Sequence, residues 1–202
     1  MKHIFWYGLA EEEKIEYLRK FSVAVVGSRM LLELLWRSGV GCIRYISDLV
    51  TPVTARLDCT IDPLEANNYD VVHPKSNDSC IISYLYPDDE RELKKLLRGI
   101  DVVVAHKHIE EVAEVAEKIG APFIPNIITT FLPDGTSFFE VEYPEVRIDP
   151  ISYAITCSVQ AGEVIRIFTG CDLPTIAPEA YVVDVANGLY LKKIRLNTKV
   201  NE

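Results

Sequence analysis

The stretch Phe21-Ser22-Val23-Ala24-Val25-Val26-Gly27-Ser28-Arg29-Met30-Leu31-Leu32 decides the fold. Residues 22–26 form a short apolar, β-branched run that stops on a glycine. Such a run reads as a strand buried on both faces of a parallel sheet. Ser28 is a good helix cap, and Met30, Leu31, Leu34 and Leu35 follow at helical spacing up to Ser38-Gly39, a suitable helix end. Cys42-Ile43-Arg44-Tyr45-Ile46 then reads as a second strand. Strand, glycine turn, helix, strand is the opening of a nucleotide-binding α/β domain. The turn itself departs from a dinucleotide site. A G-x-G-x-x-G turn lets backbone approach a phosphate, and here only Gly27 of the three glycines is present.

Working outward, residues 10–20 read as a charged amphipathic helix with Ile15 and Leu18 on one side and Glu11, Glu12 and Glu13 near its start, where the helix dipole favours acids. After the second strand comes Asp48, the position at which such folds hold a ribose; an Asp there is also an ordinary turn residue. Residues 51–79 lose all periodicity, with Pro52, Pro63, Pro74 and the Asn67-Asn68 pair, and read as a long irregular loop. Arg56, His73 and Lys75 are its anion-contacting candidates.

Regular alternation resumes at residue 80. Strands are expected over 80–86, 101–105 and 122–125, with helices over 87–98 and 109–119 between them. This pattern demands a parallel sheet with right-handed crossovers. His106 and His108 flank Lys107 on a strand-to-helix turn and offer at most half of a metal site. Beyond residue 126 the pattern changes. A hairpin is expected over 127–142 around Pro133-Asp134-Gly135, then a helix over 151–169, then a hairpin turning at Asn187-Gly188. The expected fold is thus α/β: a Rossmann-like, mostly parallel sheet with helices on both faces, continued by antiparallel strands. We expect one domain over 1–202, with the parallel half at 1–126 and the hairpins and long helix at 127–202.

Composition sets outer limits. The chain has 202 residues, 49% of them hydrophobic, which suits one domain with a real core. A net charge of −9 argues against nucleic acid or an anionic membrane as partner. No apolar run reaches the ~18 residues of a membrane span, and the N-terminus does not read as a signal peptide, so a cytoplasmic protein is expected. Five scattered cysteines (42, 59, 80, 157 and 171) make no C-x-x-C pair, so neither zinc nor a disulfide framework is indicated.

The later segments carry a resemblance. Ser158-Val159-Gln160-Ala161-Gly162-Glu163-Val164-Ile165-Arg166-Ile167-Phe168-Thr169-Gly170 resembles the "QA-x-E-A-I-K-x-L-T-G" helix of the ThiF/MoeB/ubiquitin-activating superfamily. Phe131-Leu132-Pro133-Asp134-Gly135, Tyr143-Pro144-Glu145, Arg37-Ser38-Gly39-Val40-Gly41 and the closing strand pair are similar to other segments of that family, in the same order. The resemblance implies a ThiF/MoeB-like fold that binds ATP and magnesium. It implies adenylation of the C-terminal glycine of a ubiquitin-like or sulfur-carrier protein, often within a homodimer or a heterodimer of an active and an inactive subunit.

Residue by residue, the resemblance places Gly27, Ser28 and Arg29 at the phosphate turn, Asp48 at the ribose acid, Arg56 near the phosphate-contacting arginine and Lys75 at the Pro-Lys pair. His108 stands where the family's magnesium-binding Asp would be, and neutral imidazole is a poor ligand for Mg²⁺. The family's zinc cysteines correspond to Phe138 and Val141, and neither Cys157 nor Cys171 stands at the usual thioester or persulfide position. These losses point to a degenerate, non-catalytic or partner-dependent member. The alternatives are an active adenylyltransferase using Asp48, Arg56 and Lys75, or a domain repurposed for another small molecule in the same crevice.

Overall fold

The computed structural model describes residues 16–49, 59–61, 69–74, 80–144, 149–170, 172–185 and 188–199. Five strands lie parallel in the order β5 (Cys80–Leu85), β2 (Cys42–Ser47), β1 (Ser22–Val26), β6 (Val102–Ala105), β7 (Phe123–Ile124). The chain builds outward from β1 on one side through β2 to β5. It then crosses back to place β6 on the other side of β1. That reversal opens a crevice at the carboxyl ends of β1 and β6, the place where open α/β sheets bind ligands.

Helices cover both faces, as expected. Along β1, Val23 and Val25 face one layer and Ala24 and Val26 the other, the period-two alternation of a strand. The first layer is α1 (Arg29–Arg37) and α4 (Pro150–Thr169). The second is α2 (Glu90–Leu97) and α3 (Ile109–Ile119). Helix α1 buries Leu31, Leu32, Leu35 and Trp36, each worth roughly 1.5–3 kcal/mol of apolar burial. Met30, in the expected stripe, is 40% exposed instead. Ser28 caps α1 as anticipated, its Oγ accepting from the Leu31 N–H at 3.3 Å. Gly41 lets two backbones touch, because a Cβ there would sit 1.8 Å from the Arg19 carbonyl oxygen.

Three expectations are corrected. Residues 51–79 are not loop throughout: β3 (Cys59–Ile61) and β4 (Tyr69–Pro74) add to β5 as an antiparallel edge. Pro74 is the last residue of β4, opposite Cys59 of the edge strand β3, so it closes the strand rather than interrupting it. The helix read over 10–20 is, where described, a 3-10 helix at Glu16–Lys20. The hairpin read over 127–142 is absent. Isolated bridges join Phe123 to Phe131 and Ile128 to Tyr181, and Phe138–Glu140 form a 3-10 turn closed by a Ser137/Glu140 capping box. The apolar and acidic alternation there is a period of three, with Phe138 and Val141 buried and Phe139 and Glu140 exposed. Phe138 packs against Phe123, Phe131 and Tyr143. The strands of the second hairpin pair, β8 (Glu179–Asp184) with β9 (Leu189–Arg195), in a sheet of their own, and Asn187 of the expected turn lies outside the described residues. No helix among the described residues is long and apolar enough to cross a membrane.

Candidate functional site

The crevice has two walls meeting at the turn after β6, residues 106–108. On the α4 side the groups are buried and neutral. Gln160, fully buried, donates through Nε2 to the Pro125 carbonyl at 2.5 Å and the Ile127 carbonyl at 3.0 Å. Both amide hydrogens are then used, so its Oε1 must accept. Its partner is His106 Nε2 at 2.6 Å, which therefore carries the imidazole proton. His106 Nδ1 is left as an unprotonated acceptor, buried and without a partner among the described residues. Burial drives this imidazole's pKa down to about 4, against the raising effect of Gln160, so His106 is neutral at neutral pH. Tyr153 meets the His106 ring edge-on, with centroids 5.3 Å apart.

Ser28 belongs to the same wall. Its Oγ lies 2.7 Å from Tyr153 Oη and 3.5 Å from Cys157 Sγ, besides capping α1. Ser28 and Cys157 are both fully buried. Burial pushes the Cys157 thiol up from its ordinary value, so it is a protonated core thiol rather than a nucleophile.

On the other side the groups are charged and solvated. Asp48, just past β2, receives Lys107 Nζ on Oδ2 and His108 Nε2 on Oδ1, each at 2.6 Å. The Lys107 hydrogen bond and then the His108 one hold the Asp48 carboxyl below its ordinary range. His108 stacks on Tyr86, just past β5, with ring centroids 3.7 Å apart. It caps α3 from the left-handed region at φ 50°, a strained position for a residue with a side chain. Gly27 is also left-handed, at φ 77°, and the stem of Lys107 lies directly over it. A Cβ on Gly27 would meet Lys107 Cβ and Cγ at 2.7 Å.

Of the residues singled out from sequence, Asp48 and His108 are thus in contact, and Gly27 joins them through Lys107. Ser28 faces the opposite wall. Arg29 pairs with Glu33 one turn along α1, at 3.5 Å. Arg56 and Lys75 lie outside the described residues. His106, read with His108 as half of a metal site, instead turns inward to Gln160, and Lys107, Tyr86 and Tyr153 were not among the candidates. The signal that would have raised Lys107 is its place in the turn directly after the strand that reverses the sheet order.

The residues present can be tested against a nucleotide with magnesium. Mg²⁺ wants open carboxylate oxygens. Both oxygens of Asp48 are already taken by cationic or imidazole partners, and His108 stands where the resemblance would place a magnesium-binding Asp. Among the described residues no three His, Cys, Asp or Glu side chains gather as a metal site. The described residues of the crevice do not by themselves fit a magnesium ion. The Lys107 stem fills the space beside Gly27 that a Cβ would take, and the Gly27 N–H is donated to the Ile46 carbonyl at 2.9 Å.

Comparison with known proteins agrees with this architecture. No family model matches the sequence, and no curated protein matches it. Among solved structures, PaaA superposes with a TM-score of 0.66 at 16% identity, over 93% of this chain and 67% of its own. Escherichia coli MccB with ATP superposes at 0.65 and 14% identity, over 91% and 66%. The microcin C7 biosynthetic enzyme MccB in complex with N-formylated MccA superposes at 0.65 and 13%, over 92% and 67%. The chain therefore has a ThiF/MoeB-like fold, and it spans about two thirds of the length of these neighbours.

Proposed function

We propose that this chain is a degenerate, non-catalytic or partner-dependent, ThiF/MoeB-like protein of ubiquitin-like or sulfur-carrier activation. In this reading it keeps the fold and a surface for a carrier protein or peptide, and it works as a homodimer or beside an active superfamily subunit. The carrying observation is the self-satisfied crevice: Lys107 covers Gly27, and Lys107 and His108 together saturate Asp48. Adenylation needs the charge on the departing pyrophosphate to be neutralised at preorganised groups. Here the acid that would hold a metal is an imidazole, and the cation at the turn already has a carboxylate. A polypeptide partner is supported by the neighbouring MccB structures, which were solved with MccA. The alternative is an active ATP-dependent adenylyltransferase with Arg56 and Lys75 as its catalytic cations.

Calorimetric titration with Mg-ATP, followed by pyrophosphate exchange, separates the two. The expected result is no binding at millimolar nucleotide and no exchange by the isolated protein. Binding that Lys75→Ala weakens, accompanied by exchange, would establish the active enzyme instead.

A further inference from the structure

At the opposite end of the sheet, β2 and β5 begin side by side, and Cys42 is the register partner of Cys80. Partnered residues on neighbouring parallel strands project to the same face. Their backbones are spaced by ~4.8 Å, within the ~4.4–6.8 Å of Cα separation that a disulfide spans. Both backbones are fixed: the Cys42 N–H donates to the Phe21 carbonyl at 3.1 Å and the Cys80 N–H to the Gly41 carbonyl at 2.8 Å. Both side chains are thiols, and both are half-buried, so a small oxidant can reach them.

The hydrogen bond from Cys80 lowers the Cys42 thiol to about 6, against the raising effect of burial and with help from Arg44 two residues on. Cys42 is thus substantially thiolate at neutral pH, which is the reactive form. Cys157 shows the contrasting case, a fully buried thiol pushed the other way.

We propose that Cys42 and Cys80 form a peroxide-responsive thiol pair, with Cys42 the attacking sulfur and Cys80 the resolving one. The Cys42 thiolate attacks one oxygen of hydrogen peroxide. The S–O bond forms, the O–O bond breaks, and hydroxide leaves and takes up a proton as water. Sulfur is oxidised to the sulfenic acid, and peroxide is reduced. The Cys80 sulfur then attacks the sulfenic sulfur. The S–S bond forms, the S–O bond breaks, and the hydroxyl leaves with the Cys80 proton as a second water. Two thiols and one peroxide give one disulfide and two waters. The cross-link ties β2 to β5 at their amino ends, far along both strands from Asp48 and Tyr86.

Peptide mapping of the full-length protein after hydrogen peroxide tests this directly. The expected product is a Cys42–Cys80 cross-linked peptide in most of the chain, with the mass of two hydrogen atoms lost, reversed by dithiothreitol. Cys42 recovered as a thiol, as a sulfonic acid beside a reduced Cys80, or linked to Cys59 or Cys171 would overturn the proposal. In Cys80→Ser, shown by circular dichroism to be folded, Cys42 is expected to stay as a sulfenic acid and to be labelled by dimedone. An unlabelled Cys42 in that folded variant would overturn the assignment of Cys42 as the attacking sulfur.

Discussion

His106 and His108 sit two residues apart on one turn, yet they belong to regions built on opposite terms. His106 is one link in a chain that runs through Gln160 to the carbonyls of Pro125 and Ile127. Every bond in that chain is neutral, and its central amide is fully buried. His108 shares a carboxylate with a lysine in the open, with Asp48 and Lys107 side chains 41% and 56% exposed. In the first region the low dielectric makes each hydrogen bond costly to lose. In the second, water screens the charges and replaces any partner that leaves. Gln160, a residue of the helix segment that carries the family resemblance, thus serves architecture.

The largest expected effect comes from cutting the buried side. Gln160→Leu keeps the volume of the side chain and removes its polar atoms. The Ile127 carbonyl retains the Thr129 N–H at 3.2 Å, but the Pro125 carbonyl and the His106 Nε2–H lose their partner. Two orphaned groups at ~1–3 kcal/mol each amount to about 4 kcal/mol of lost stability. Urea denaturation at pH 7 measures it. A loss below about 1 kcal/mol would mean that water enters the site, and the contrast between the two regions would fail.

A smaller effect sharpens the same contrast through pH. The folded His106 has a pKa of about 4, below the ordinary 6.5 that the unfolded chain regains. Between those values the unfolded state binds a proton here and the folded state does not, so stability rises with pH across the window. The full contribution is present above pH 6.5, and about 3 kcal/mol is lost by pH 4. Denaturation curves at stepped pH should show this slope in the parent protein and lose it in His106→Gln, which keeps a donor for the Gln160 oxygen. An unchanged slope in the variant would assign the acid sensitivity to other groups.

Much of this arrangement was legible in the sequence. The strand ending at Gly27, the Ser28 cap and the alternation from residue 80 onward are local patterns, set by periodicity within one element. Asp48 and His108 were each readable as site positions. Their contact was not, because it closes over 60 residues of chain and depends on how the sheet orders its strands. Lys107 escaped notice because a lysine in a polar turn looks like any solvated cation; only the Cβ space above Gly27 shows that its stem covers the turn. The strands β3 and β4 were hidden by the prolines around them and by pairing across the sheet, β3 to β4 and β4 to β5, which no local pattern reports. Around residue 138 the period was misread: Phe138 and Val141, three apart, are buried on one side of a 3-10 turn, where a strand would bury every second residue.

The smallest effect is expected on the exposed side. Asp48→Asn removes the carboxylate that Lys107 and His108 share. Because all three groups meet solvent, the loss of stability should stay below about 1 kcal/mol and shrink further in high salt. The pH behaviour separates the two regions again. The Asp48 carboxyl is held below its ordinary 3.8, so its contribution is present above that value and fades only as pH falls below it, outside the His106 window. Denaturation of Asp48→Asn at low and high salt checks both points. A loss above about 2 kcal/mol, insensitive to salt, would show that the cluster is a structural clamp. The Lys107 cover over Gly27 would then be part of the scaffold, and no ligand would gain the turn by displacing it.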